Sequence, residues 1–407
     1  MSKFSDKLKN LVEDDLAKMM GKPVINKKLW LWMVVDFFLI QLLIGPCNVL
    51  IWRGGWELYT LVFGVDTDNG IGLFISGLLL SIPLIIFSSN LSIFANDILM
   101  DETHGSGSFR YVIVTRFYSA ATFFVMLMFW KGWFDIWRDF PFHIPGLAHW
   151  HFSLSCLVLG SFILMYLGCF KTAALSPPMG MWLDTATHYV HVDQFYHVKN
   201  TSEKPKQFRF VNAILTLLIE VIGLVTYYGA YTLIDDWFHV KITEMFESSS
   251  AQASAFLLGW ALLLSALSYV CSILYLYILF ESTSQYCNTT IKNICYDSIL
   301  FISVIATALH FHVWWGITDV IKNEVFGDSA YPEFIFLCLG FLVTMFLGVG
   351  SGNHYGVSWE NLKEEDGVLL PFIYLTYILR DRSMESQDDN MAVDVMVDFI
   401  EDHIVTE

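Results

Sequence analysis

Eight apolar runs, most of them long enough to cross a bilayer as a helix, constrain this chain more than any other feature. They lie near residues 29–51, 70–95, 110–129, 152–170, 210–231, 255–280, 294–315 and 334–355. A hydrocarbon core about 30 Å thick takes roughly 20 residues of α-helix to cross. Inside lipid, every backbone N–H and C=O has to be bonded within a helix or a closed barrel. The runs are continuous rather than alternating, which excludes barrel strands. With 55% hydrophobic and 15% charged residues, no water-soluble fold of 407 residues would hide so much apolar surface. The expected fold class is an all-α polytopic membrane protein with eight transmembrane helices over residues 29–355. A basic segment, 1–28, precedes it and an acidic tail, 356–407, follows.

Lys and Arg set the expected orientation. Seven fall in the N-terminal segment, and Lys199, Lys204 and Lys206 lie between the fourth and fifth runs, flanked by Lys171 and Arg209. The opposite face has Arg53, Lys131, Arg138, Lys241 and Lys322. Both termini are therefore expected in the cytoplasm. The charged start does not read as a cleavable signal, so the first run is expected to act as an uncleaved anchor. Seven cysteines, none well inside an outer loop, argue against a disulfide framework. The basic stretch 1–20 and the acidic stretch 391–404 both show helical amphipathic spacing. The first suits the anionic leaflet; the second suits a basic cytoplasmic partner or the basic N-terminal segment. A shorter apolar run at 368–379 contains Pro371 and does not reach across a bilayer.

A degenerate motif recurs after each odd-numbered run. The copies begin at Trp52-Arg-Gly54-Gly-Trp56-Glu57, Trp130-Lys-Gly132-Trp-Phe134-Asp135, Tyr227-Tyr-Gly229-Ala-Tyr231-Thr232 and Trp314-Trp-Gly316-Ile-Thr318-Asp319. Aromatic residues anchor at the membrane boundary, glycine permits a bend or a close helix contact, and the acid is expected to face water. Four copies at one end of alternate helices predict four tandem helix hairpins related as parallel repeats, with the motif elbows outside.

The stretch Gly45-Pro-Cys-Asn-Val-Leu-Ile-Trp52-Arg-Gly-Gly-Trp56, ending the first of eight helices, resembles the W-R-G-x-W signature of the Fuseless family. That resemblance covers roughly residues 29–355; the later copies are degenerate, and Lys131 stands where the signature has Arg. It implies an eight-pass neuronal membrane protein that organises voltage-gated calcium channels at presynaptic release sites, without catalytic residues.

The remaining candidates are polar residues within apolar runs. Glu220 sits mid-helix, where an ionised carboxylate costs several kcal/mol unless it is paired, protonated or wetted. Asp36, Arg116, Asn212 and Asp297 stand at similar distances before the motif glycines and predict a polar layer near the inner leaflet. That layer reads either as an Asp36–Arg116 salt bridge or as an intracellular ligand or ion site. His310 and His312 diverge on a helix and do not share a metal, so no metal or cofactor site is expected. Thirteen acids against five cations leave the motif face negative, as a solvated surface or a cation-attracting mouth. The glycine-rich stretch 348–356 lacks a P-loop lysine. With no basic stripe, nucleic acid is excluded.

Three functions are open to such a chain. The first is a non-enzymatic plasma-membrane scaffold or accessory subunit, binding the bilayer, a membrane protein such as a channel, and a cytoplasmic partner of the acidic tail. The alternative is an ion channel or transporter with a cation or proton site near Glu220. An intramembrane enzyme stands third, since no metal-protease or serine-nucleophile motif occurs.

Overall fold

The computed structural model describes residues 34–64, 67–101, 109–139, 149–174, 206–245, 250–281, 289–327, 331–347 and 349. Among them every regular element is helical. The amphipathic stretches 1–20 and 391–404, the run 368–379 and most of the glycine-rich stretch lie outside the described residues.

A helix stands at each of the eight expected places. α1 covers Val34–Phe63. α2 is Thr67–Asp101, α3 Phe109–Asp139, α4 His149–Leu167, α5 Lys206–Leu233, α6 Ser250–Glu281, α7 Thr289–Ile321 and α8 Tyr331–Phe346. Six of these helical stretches are long and apolar enough to cross a membrane: Val34–Phe63, Asn69–Phe87, His149–Leu167, Arg209–Met245, Gln252–Ser272 and Ile294–Phe326. α3 carries Arg116, Lys131 and Asp135, and α8 has only 16 residues.

Three stretches widen to π geometry: Ile40–Ile44 within α1, and Ile234–His239 and Lys322–Phe326, which continue α5 and α7. In α1 the wide turn precedes Pro46, which has no N–H to return to the preceding turn.

The chain divides into two compact units: residues 1–43, 266–299 and 360–407 in one, and 44–265 and 300–359 in the other. In the first, Phe37 meets Tyr269 edge-on at 5.3 Å. Asp36 and Gln41 are buried there.

The second unit has inner and outer helices. The spanning stretches of α1, α5 and α7 are 50 to 61% buried, whereas those of α2, α4 and α6 are 28 to 33% buried. The closest pairs are α2 with α3, α4 with α5, and α8 with α1. Sequence neighbours expected as hairpins, such as α1 with α2, are not the tightest pairs. Glycine explains which helices approach. A Cβ on Gly54 would lie 2.5 Å from the Glu333 carbonyl of α8; one on Gly340 would meet the Cys47 carbonyl of α1 at 2.7 Å. Gly132 is pressed against Phe74 and Gly70 of α2, and Gly77 against Phe129 of α3. Gly229 meets Leu157 and Ser153 of α4, and Gly160 meets Thr226 of α5. Each interface thus has a glycine on both sides, which lets the backbones touch. Ile85, Tyr118, Met126, Phe129, Ala213, Leu217 and Leu224 join α2, α3 and α5 in one apolar cluster. Ile51, Phe123, Leu127 and Leu337 join α1, α3 and α8 in another.

Candidate functional site

The motifs lie inside unbroken helices rather than at elbows. An aromatic pair spaced i, i+4 falls on one helix stripe. In α1 this is Trp52 and Trp56, in α3 Trp130 and Phe134, in α5 Tyr227 and Tyr231. The first members form a closed circuit of edge-to-face contacts. Trp52 meets Trp130 at 5.3 Å, Trp130 meets Tyr227 at 5.2 Å, Tyr227 meets Phe311 of α7 at 6.5 Å, and Phe311 returns to Trp52 at 6.2 Å. The second members make another layer: Trp56 with Phe134 at 5.4 Å and with Trp315 at 5.9 Å, and Phe134 with Tyr231 at 5.9 Å. Two aromatic layers therefore lie between α1, α3, α5 and α7. Each contact adds about 0.5–1.5 kcal/mol to the burial of its rings.

The copy in α7 is thereby corrected. The pair in register with the other three is Phe311 and Trp315, not Trp314 and Thr318. Trp314 stands outside the circuit, with its indole N–H unpartnered and His310 beside its ring at 6.2 Å. Gly316 has nothing within 4 Å of a would-be Cβ, unlike Gly54, Gly132 and Gly229. Of the bend or close helix contact expected at the glycines, Gly54, Gly132 and Gly229 take the close contact.

Charge packs around these layers. Arg53 is buried, and its Nη1 donates to the Trp315 carbonyl at 3.3 Å, to Thr318 Oγ1 at 3.2 Å and to Asp319. Its Nη2 lies 3.7 Å from Glu333, which also pairs with Lys322 at 2.6 Å. The guanidinium sits over the Trp315 and Phe336 rings. Glu57 is half-buried within the same field as Arg53, Asp319, Lys322 and Glu333. On α3, Lys131 donates to Asp135 at 2.7 Å and lies 5.3 Å from the centre of Trp56. Asp135 and Glu333 are thus buried ion-pair members, not water-facing acids. Lone charges at those depths would be too costly, and each has a cation against it.

Every residue of the Trp52–Trp56 stretch has a contact of its own. Trp52 and Trp56 enter the two layers, Arg53 ties α1 to α7 and α8, Gly54 seats α8, and Gly55 seats Leu127 and Phe123 of α3. The sequence model of the Fuseless family matches residues 31–351, a range that includes all eight helices. The chain belongs to the Fuseless family. No curated protein and no solved structure matches it. In this Fuseless chain the signature is therefore a packing and ion-pair device.

The polar residues expected within the membrane divide between the two units. Asn212 and Glu220 are buried on α5, and Arg116 is half-buried on α3. Asp36 is buried and Asp297 half-buried, both in the first unit. One turn inward of the first aromatic layer, Asn48 on α1 and Thr307 on α7 are buried, and Asn48 Nδ2 and Thr307 Oγ1 have no partner. Among the described residues, six cysteines are free thiols and no three side chains of metal-binding type converge.

Sequence reasoning missed Phe311, His239 and the role of Glu333. The i, i+4 aromatic spacing alone would have found Phe311; weighting the glycine hid it. His239 became visible only because α5 continues beyond Leu233 through the π stretch Ile234–His239.

Proposed function

We propose that this chain is a non-enzymatic membrane scaffold. It spans the bilayer eight times, as four repeated units with both termini in the cytoplasm and the aromatic layers near the outer surface. The observation that carries the reading is the closed circuit of Trp52, Trp130, Tyr227 and Phe311. A solute moving along the axis of the inner helices would have to push through both aromatic layers and the Arg53 network above them. Interiors packed in this way are rigid cores, not water-filled pores. The chemistry left for the protein is then recognition at its lipid-facing and cytoplasmic surfaces. The family resemblance directs that recognition to a voltage-gated calcium channel at presynaptic plasma membrane, with the acidic tail 356–407 as a cytoplasmic contact.

The purified chain in proteoliposomes is expected to pass no Na⁺, K⁺, Ca²⁺ or H⁺. Co-expressed with a calcium channel, it is expected to stay bound through affinity purification and to crosslink to it in intact membranes. A silent bilayer together with no channel association would reject the reading.

A second reading, transport, draws on the unpartnered Asn48 and Thr307 atoms beneath the aromatic circuit and on Glu220, two turns inward of Tyr227 on nearly the same face of α5. A cation or proton flux abolished by Glu220→Gln would favour it over the scaffold.

A further inference from the structure

Where α5 continues past Leu233, its π stretch brings His239 against α7. His312 Nε2 lies 2.9 Å from His239 Nδ1, and the rings meet at 74° with centroids 4.9 Å apart. The other nitrogen of the same imidazole, His312 Nδ1, lies 3.7 Å from Asp235 Oδ1. Asp235 is exposed and His239 half-buried, so water reaches the pair, while His312 is 11% exposed and held at its edge by Tyr231. The cluster touches the second aromatic layer through Tyr231 and shares none of its own three residues with that layer or the Arg53 network.

Two facing imidazole nitrogens can share only one proton. The Asp235 carboxylate, 3.7 Å from the far nitrogen of His312 and so beyond hydrogen-bond reach, electrostatically favours the tautomer that protonates Nδ1 and leaves a lone pair on Nε2. A metal-binding histidine is oriented by a closer contact of the same kind, its second N–H given to a carboxylate. Two imidazoles on one ion, with bonds of about 2.0–2.1 Å, place their nitrogens about 3.0–3.4 Å apart. Reaching that separation from the observed 2.9 Å takes a few tenths of an ångström, together with a turn of the two rings that swings their lone pairs off the N–N line onto the ion. Tyr231, in turn, fixes the ring that would otherwise have to be ordered on binding.

We propose that His239 and His312, oriented by Asp235, bind a divalent transition metal of the class that prefers imidazole, Zn²⁺ or Cu²⁺, and so clip α5 to α7 at the motif end of the helices. The described residues supply no third ligand, so water completes the coordination and the ion exchanges with solvent.

The test uses the full chain in nanodiscs, titrated with Zn²⁺ against a chelating indicator. One equivalent is expected at neutral pH. His239→Gln and His312→Gln are each expected to weaken it at least about tenfold, and Asp235→Asn by about 10–100-fold, the usual effect of removing an orienting carboxylate. His149→Ala, which removes a neighbouring histidine paired with Asp236 at 2.5 Å, is expected to leave binding unchanged. Cu²⁺ electron paramagnetic resonance, run on the same samples, should show two imidazole nitrogens in the parent and one in either glutamine variant. If a glutamine variant is misfolded, the parent spectrum still decides: fewer than two imidazole nitrogens overturns the site. So does the absence of Zn²⁺ binding by the parent, or loss of binding that follows His149 instead.

Discussion

Gly54→Ala puts the helix contacts to a direct test. The added methyl would stand 2.5 Å from the Glu333 carbonyl oxygen, 2.7 Å from the Leu337 nitrogen and 2.9 Å from the Leu337 Cβ. Two of these three atoms are backbone, so no rotamer change relieves the clash. Restoring ordinary contact at 3.4 Å moves α8 away from α1 by about 0.9 Å. Overpacking of this kind costs about 1–3 kcal/mol. Alanine in place of glycine returns up to about 1 kcal/mol of helix propensity. The expected net loss is therefore about 1–2 kcal/mol, or a few degrees in Tm. Gly316→Ala is the matched control. It sits in the fourth motif copy with nothing within 4 Å, so it keeps the propensity gain without a clash and should be neutral or slightly stabilising. The assay is thermal unfolding in detergent, followed by the monodisperse fraction on size-exclusion chromatography. Equal destabilisation by Gly54→Ala and Gly316→Ala would refute the reasoning, because it would mean that the motif glycines act through their sequence context and not through the helices they touch.

Arg53→Met removes the hydrogen bonds to Asp319, Thr318 and the Trp315 carbonyl and should cost about 1.5–3 kcal/mol, less than stranding a buried charge because Glu333 keeps Lys322 and Asp319 is half-exposed; Arg53→Lys should restore little of it in the same thermal assay, because one ammonium cannot reach that spread of acceptors. Lys131→Met should destabilise more than the double variant Lys131→Met with Asp135→Asn, since the double change also removes the buried negative charge that Lys131 neutralises; a thermal double-mutant cycle measures the difference. Phe311→Leu should lower Tm more than Trp314→Leu, although Trp is the larger side chain, because only Phe311 belongs to the aromatic circuit. An equal or reversed order would return the α7 copy to the register set by its glycine.

The places of all eight helices were legible in the apolar runs, because span length and backbone bonding in lipid leave few alternatives. Their ends were less so. The first run was expected to close at residue 51, yet α1 continues to Phe63, because Arg53 and Trp56 are tolerated within the helix once α7 and α8 cover them. Hydropathy treats Arg53, Lys131, Asp135 and Glu333 as water-seeking, and cannot register that each meets an opposite charge from another turn or another helix. The motif itself was visible, and its glycines pointed to close contact. Which helix each would touch was not, because Gly54 and Glu333 belong to α1 and α8, far apart in the chain.

That partnership has a bearing on how the protein is made. Arg53 leaves the ribosome 266 residues before Asp319, and earlier still than Glu333. Throughout that interval the first helix carries a guanidinium and a bare glycine groove with neither of the carboxylates, nor the last helix, that will later cover them. That surface is completed only once α8 has been made. A chain truncated before Tyr331 lacks α8 and Glu333, so it would leave the glycine surface of α1 and one side of the Arg53 network uncovered.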